Sequence, residues 1–321
     1  MEYLKLGRSG LTISRIALGC MSFGDRNAFH QWTLDEESSQ PYFRQAVELG
    51  ITFWDTANTY GGGTSEEFVG RAIKRYSRRE DVVLATKVWG KMHDGPGGSG
   101  LSRKAILEQL DASLTRLGTE YVDLYQIHRF DPETPVEETM EALHDAVRAG
   151  KVRYLGASSM WAWQFAKMQH AADLGGWTRF VSMQNQYNVI RRDDENELLA
   201  LCGDQGVGSI PYSPLAKGRL GKPWGRQTLR AETDQVAQAL ERDTDRALVD
   251  AVEAVAADRG VPMAQIALAW LLTRPIVSAP IVGATKPHHL TDAAAALDLK
   301  LTDDEIRRLE EPYVAQPRNW Y

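Results

Sequence analysis

Eight short apolar runs, each followed by a stretch with helical patterning, constrain this chain more than any other feature. They cover residues 16–19, 52–55, 82–87, 122–128, 153–157, 180–184, 208–212 and 279–282. Most are apolar throughout and bounded by turn residues, the pattern of strands buried on both faces of a parallel sheet. Between them the apolar residues recur three and four apart, as at Leu107, Leu110, Leu114 and Leu117, which predicts amphipathic helices. Thr33…Glu36, Thr64…Glu67, Thr134…Glu137 and Thr302…Glu305 read T-x-x-E, the pattern of a capping box at a helix start. Gly50, Gly118 and Gly150 stand where helices should stop.

Eight strand–helix units in 321 residues fit a (β/α)8 TIM barrel. A doubly wound sheet is the competitor. It would place G-x-G-x-x-G after the first strand, and Leu18-Gly19-Cys20-Met21-Ser22-Phe23-Gly24 lacks that spacing. Residues 3–6 and 11–14, around Gly7-Arg8-Ser9-Gly10, predict a β-hairpin ahead of the barrel, placed to plug its floor. No linker, low-complexity tract or internal repeat beyond the alternation divides the chain, so residues 1–321 read as one domain. Two segments stand out as loops on the functional face: the glycine-rich 95–100 and the long polar 217–243.

Net charge is −6 and the isoelectric point about 5.7, which argues against nucleic acid or an anionic membrane surface as the general partner. No apolar run approaches the roughly 20 residues that cross a bilayer. The first residues lack a signal-peptide core, so the expected location is cytoplasmic. Cys20 and Cys202 lie in apolar surroundings outside any C-x-x-C, which predicts buried free thiols and no metal site. The oligomeric state is left open, with a monomer slightly favoured.

Strand C-termini of a parallel barrel open on one face, so polar residues stationed there converge on one pocket. Asp55, Lys87 and His128 each end a strand-like run, and Tyr60 follows Asp55 by five residues. A tyrosine near a cation and an imidazole can protonate a carbonyl oxygen. Lys87 is expected to lower the Tyr60 pKa by stabilising the phenolate, with Asp55 as its counter-ion, while His128 orients the substrate oxygen. None of the four supplies a hydride, so reduction of a carbonyl by this set requires a nicotinamide cofactor. Taken singly, each has a plainer reading: a capping aspartate, a surface lysine, a structural histidine, an arbitrary tyrosine.

The words Asp55-Thr56-Ala57-Asn58-Thr59-Tyr60, Ala85-Thr86-Lys87 and Leu124-Tyr125-Gln126-Ile127-His128 resemble the aldo-keto reductase superfamily, in its bacterial, single-domain form, over essentially the whole chain. The resemblance implies a (β/α)8 barrel with an N-terminal hairpin plug and extra C-terminal helices. It implies NADP(H) bound across the C-terminal face without a Rossmann domain. It assigns the catalytic roles to Asp55, Tyr60, Lys87 and His128, with Asp55 also among the residues near the cofactor. By the same resemblance Gln184 and Ser158 hold the nicotinamide carboxamide, with Ser159 where the family often has Asn. Tyr212 stacks on the nicotinamide ring, and Ser213, Pro214, Leu215 and Gly218 surround the pyrophosphate. Gly19 and Met21 join the cofactor set after the first strand. At the adenosine end stand Gly283, Thr285, Lys286, His289 (usually Arg or Gln) and Asp292 (usually Glu), with Thr285 and Lys286 suited to a 2′-phosphate.

Phe23, Trp89 and Trp161, with Tyr60 and His128, are expected to border a pocket for an apolar or aromatic carbonyl compound. The C-terminal Arg318-Asn319-Trp320-Tyr321 is a candidate flap over the mouth. The function implied is NADPH-dependent reduction of aldehydes or ketones to alcohols. Two alternatives remain: a cofactor-sensing regulatory subunit, since the potassium-channel β-subunits resemble the same family, and an NAD-dependent dehydrogenase of an alcohol or sugar.

Overall fold

A computed structural model of the protein describes residues 1–28, 31–226, 233–234, 238–239 and 241–315. Strands β1 (Tyr3–Lys5) and β2 (Thr12–Ser14) form an antiparallel hairpin. Eight parallel strands follow: β3 (Ala17–Gly19), β4 (Phe53–Asp55), β5 (Val83–Val88), β6 (Val122–Ile127), β7 (Val152–Ser158), β8 (Phe180–Gln184), β9 (Gly208–Ser209) and β10 (Ile281–Gly283). Their order is β10-β3-β4-β5-β6-β7-β8-β9, so each strand neighbours the next in sequence. Backbone bonds carry the ring across its remaining seam: Ser278 N donates to Ser209 O at 2.7 Å and Ile281 N to Pro211 O at 2.9 Å. The expected α/β barrel is what the chain forms.

The helices that lie wholly among the described residues are α1 (Glu36–Glu48), α2 (Thr64–Tyr76), α3 (Arg103–Leu117), α4 (Val136–Arg148), α5 (Ala162–Gly175) and α6 (Leu198–Gln205). Then come α7 (Asp245–Arg259), α8 (Met263–Leu272), α9 (His288–Ala295) and α10 (Asp303–Glu310). Helices α7 and α10 exceed one helix per barrel strand and are tied by Arg259 Nη2–Glu305 Oε2 at 2.6 Å. One of this pair, α10, is C-terminal; the other is inserted before β10.

Alternation along the strands separates two environments. Leu84, Thr86 and Tyr125 face the helices; the Tyr125 hydroxyl donates to Ile106 O of α3 at 3.2 Å. Ala85, Lys87, Leu124 and Gln126 face the barrel axis. At the floor, Leu6 and Ile13 of the hairpin region are fully buried against Ala17, Phe53, Ala85 and Leu124. The plug is sealed at Gly7, whose φ is +55° and where a Cβ would stand 2.4 Å from Gly206 O.

Only Thr302 forms the capping box expected of it: its N–H donates to Glu305 Oε2 at 2.7 Å and its hydroxyl accepts from Glu305 N at 3.3 Å. At α1 the cap is Asp35, accepting from Ser38 N at 2.9 Å, rather than Thr33. Thr64 is instead the first residue of α2, its hydroxyl donating to Gly61 O at 2.7 Å. Thr134 turns its hydroxyl to Asp131 Oδ2 at 2.8 Å. At Thr64 and Thr134 a nearer partner captured the hydroxyl, while α1 starts beyond Thr33 and takes Asp35 as its cap. Gly50, Gly118 and Gly150 do terminate helices, with φ of +72°, +62° and +74°. Both cysteines are buried and free.

Candidate active site

Three strand ends and one turn build the site. Asp55 closes β4, Lys87 lies near the end of β5, and His128 follows β6, its N–H donating to Val88 O at 2.8 Å. Tyr60 is carried by the loop after β4, which runs on beside β5 through Thr56 N to Ala85 O at 2.9 Å and Asn58 N to Lys87 O at 3.2 Å. Directly after Tyr60 the chain turns sharply through Gly61, Gly62 and Gly63, with φ of +57°, +64° and +101°. Three successive left-handed residues are open to glycine at little steric cost, and they return the chain into α2 with the phenol left facing the barrel mouth.

The four expected residues converge. Lys87 Nζ donates to Asp55 Oδ2 at 2.5 Å, to Thr56 O at 2.8 Å and to Tyr60 Oη at 3.2 Å. The His128 ring meets the Tyr60 ring edge-on, with centroids 5.8 Å apart. Lys87 is wholly buried and Asp55 nearly so.

Burial and neighbouring charge set the protonation states. Burial alone would lower the Lys87 pKa, but the charges and hydrogen bonds of Asp55 and Tyr60 outweigh it and raise the value, so the ammonium stays charged. Burial lowers His128 well below the ordinary histidine value, helped by Lys87 and Arg129, so its imidazole is neutral near pH 7. The expectation for Tyr60 is corrected. Burial raises its pKa, Asp55 adds to the rise, and the opposing pull of Lys87 does not reverse it. Tyr60 therefore keeps its proton near pH 7.

One polar residue went unnoticed as part of the site. Gln126 is fully buried, and its Nε2 donates to Asp55 Oδ1 at 2.8 Å. Gln184 Nε2 donates to the same oxygen at 2.9 Å and to Gln126 Oε1 at 3.0 Å. The signal was available: Gln126 precedes His128 by two residues, so on a strand both face the axis. An amide inside an apolar run, on the same face as a candidate catalytic group, marks a buried partner.

Several groups suit a phosphorylated, amide-bearing ligand. Gln184 turns its Nε2 to Asp55 and Gln126, and its Oε1 accepts no hydrogen bond among the described residues. The Ser158 and Ser159 hydroxyls, both buried, lie 3.2 Å apart at the end of β7, Ser159 with φ +51°. Tyr212, half-buried, is close enough to Tyr60 to act on its titration. Ser213, Ala216 and Lys217 are all left-handed, and a Cβ on Gly218 would meet nothing within 4 Å. Non-glycine residues in that region are strained by about 1–3 kcal/mol each, and such strain gathers at ligand clamps. The turn also contains Pro214 and Leu215 and is held by Asn188 Nδ2 donating to Ser213 O at 2.9 Å.

Gly19 ends β3 beside Gly283 and Asp55, with half-buried Met21 just beyond it. Lys286 is exposed ahead of α9, and Thr285 N donates to His289 Nδ1 at 3.2 Å. Asp292 is instead engaged with Gln265 Nε2 at 3.0 Å. Lys222 also reaches this end: burial lowers its pKa, Glu241 opposes the fall, and Arg226 and Lys286 add to it. Lys222 lies in the long polar 217–243 segment expected on the functional face.

The aromatic wall is only partly as expected. Trp89, 37% exposed and with φ +144°, stands at the rim after β5, and half-buried Trp161 stands before α5. Phe23 is not at the mouth. It is fully buried, its ring 4.8 Å from that of Phe43, because the core between α1 and the barrel offers it complete burial. Phe130, two residues after His128, and Trp163 form an edge-on pair at 6.1 Å that the sequence reading did not name. The 95–100 loop is folded back on its base, with Met92 N donating to Gly98 O at 2.7 Å and Gly100 N to Trp89 O at 2.8 Å. Within 217–243 the described residues include an ion pair, Lys217 Nζ–Asp234 Oδ1 at 3.6 Å, and Asp245 holds the segment's base through Arg219 Nη1 at 2.6 Å. Arg318-Asn319-Trp320-Tyr321 lies outside the described residues.

A parallel barrel whose strand ends bring an aspartate, a lysine, a tyrosine and a histidine together at its mouth defines a class of protein with its chemistry on the C-terminal face. Comparison with known proteins makes that class particular. Residues 15–313 match the model of the Aldo/keto reductase family, and the chain belongs to that family. It is 46% identical to the versiconal hemiacetal acetate reductase of Aspergillus parasiticus, over 98% of this chain and 97% of that protein. It is 43% identical to an aldo-keto reductase of Fusarium vanettenii, over 99% of this chain and 92% of that one. A Schizosaccharomyces pombe protein provisionally named as an aryl-alcohol dehydrogenase is 41% identical, over 97% of this chain and 95% of its own. These relatives are fungal rather than bacterial. The family makes the protein an oxidoreductase of small carbonyl compounds or alcohols.

Proposed function

We propose that the protein reduces aldehydes or ketones to alcohols with NADPH, Tyr60 being the general acid. The observation that carries this reading is the contact of a charged Lys87 with Tyr60 Oη at 3.2 Å, Lys87 being held in turn by Asp55. The cofactor, when bound, supplies the hydride; the chain's own residues do the rest. Neutral His128 donates a hydrogen bond to the carbonyl oxygen and fixes it against the Tyr60 hydroxyl. As charge develops on that oxygen, Tyr60 gives up its proton, and Lys87 stabilises the phenolate left behind. Asp55 keeps Lys87 charged in a site where burial works against it.

Gln184 and the Ser158–Ser159 pair suit the nicotinamide carboxamide, Tyr212 the ring, and the strained 213–218 turn the pyrophosphate. Lys286 with Thr285, joined by Lys222, suits a 2′-phosphate and supports NADPH over NADH. Trp89, Trp161 and the Phe130–Trp163 pair favour an apolar or aromatic carbonyl compound. The names of the relatives include both a reductase and an aryl-alcohol dehydrogenase, and the same residues run either way. The direction follows from which cofactor the adenosine end prefers.

Fluorescence titration with NADPH and NADH, followed by aromatic and aliphatic aldehydes in the same cuvette, tests the reading. Tighter binding of NADPH with aldehyde-dependent oxidation supports it. Tight binding with no turnover of any carbonyl would favour a cofactor-sensing subunit instead.

A further inference from the structure

The Asp55 carboxylate has two faces, and only Oδ2 is occupied by the proton-transfer set. Oδ1 accepts two amide donors, Gln126 Nε2 at 2.8 Å and Gln184 Nε2 at 2.9 Å. An ionised carboxylate only accepts, so both amides must turn their NH2 groups toward it. The second proton of Gln184 Nε2 then goes to Gln126 Oε1, 3.0 Å away. These bonds settle the orientation of Gln184 and leave its Oε1 as the free acceptor. All three residues are at most 2% exposed, and burial strengthens these bonds. Room for the Gln126 stem comes from Gly156, its register partner on β7, where a Cβ would stand 2.9 Å from Gln126 Cγ.

We infer that Gln126 is a positioning residue that ties recognition of the nicotinamide carboxamide to the Asp55–Lys87–Tyr60 set. This rests on the reading of Gln184 as the carboxamide's acceptor. Without Gln126 Oε1, the Gln184 amide loses the bond that, with Asp55, holds its NH2 inward, and its Oε1 is no longer fixed toward an incoming donor. Without Gln126 Nε2, Oδ1 of Asp55 loses one of its two donors, and the carboxylate can rotate away from Lys87.

The test is Gln126→Met, which keeps an unbranched stem beside Gly156 and removes both hydrogen bonds; Gln126→Leu is the second variant, and thermal unfolding of both checks that the barrel persists. Each is titrated with NADPH and with its reduced 3-acetylpyridine analogue, whose methyl ketone has no N–H to donate. The wild type should prefer NADPH by about tenfold, the weight of one hydrogen bond to a fixed buried acceptor, and the variants should bring that ratio close to one. With NADPH bound, their kcat should fall about tenfold, and its pH dependence should shift because Lys87 is less firmly paired. A preference and a pH profile unchanged in a folded variant would overturn the role of Gln126 while leaving the reductase reading intact. Failure of the wild type to bind either cofactor would instead overturn the reductase reading itself.

Discussion

At the scale of single residues, the site depends on which groups hold protons near pH 7. His128 is neutral because burial and the adjacent cations oppose its charge, and Tyr60 is protonated because burial opposes the phenolate. The turnover number of the reduction should therefore stay flat from about pH 6.5 to about pH 10, since no group needed in its present form titrates between those ordinary values. Loss is expected only above that range, as Tyr60 ionises. A pH profile of kcat with an ionisation between 6 and 8 that disappears in His128→Gln would contradict this. The depressed His128 pKa also stabilises the fold above the unfolded value of about 6.5, a contribution lost as pH falls below it toward the folded value. Urea midpoints of wild type and His128→Gln, measured at pH 7 and pH 5.5, should draw closer at the lower pH. Asp55, Lys87 and His128 were legible because each ends an apolar run, where a charged residue has few structural reasons to stand. Gln126 was not, because a lone amide inside a strand looks like an ordinary interruption until its partners across the barrel are known. The direction of the Tyr60 shift was also out of reach, since burial competes with Lys87 and only the folded chain reveals how deep the pair lies.

At the scale of elements, the barrel separates stability from chemistry. The hairpin closes the floor through Leu6 and Ile13, at the end opposite Tyr60. Leu6→Ala should cost about 2–5 kcal/mol by urea denaturation, while kcat/KM of the folded enzyme changes little. The glycines after Tyr60 act at the other end. Gly63→Ala places a Cβ 2.9 Å from Arg116 Cδ, which displaces that side chain, and at φ +101° it strains the turn that carries Tyr60. The variant should lose both stability and turnover, readable as a lower Tm and a lower kcat. Eight strands were legible from their apolar runs, and the hairpin from its alternation around a glycine-bounded turn. Helix starts were less so. A T-x-x-E word says that a capping box is possible, but Asp35 outcompeted Thr33, and Thr134 found Asp131. Phe23 illustrates the same limit for apolar side chains: an aromatic after a strand can face the mouth or the helix layer, and packing against Phe43 decides.

At the scale of the whole molecule, one ring of strands gathers residues from separate loops of the chain. Lys222, from the segment after β9, comes near Lys286, from the segment after β10, with Arg226 beside them and Glu241 opposing their charge. Lys286→Ala should therefore weaken NADPH binding at least tenfold more than NADH binding, because only the former carries the 2′-phosphate. Equal effects on the two dissociation constants would place that phosphate elsewhere. No helix among the described residues is long and apolar enough to cross a membrane. The most direct test of the central claim is the Tyr60→Phe variant, titrated with NADPH and then given an aldehyde that the wild type reduces. The dissociation constant should stay close to that of the wild type and turnover should fall about 10²- to 10⁴-fold, since the ring remains and only the acid is gone. Turnover within a few-fold of the wild type would show that the proton comes from another group.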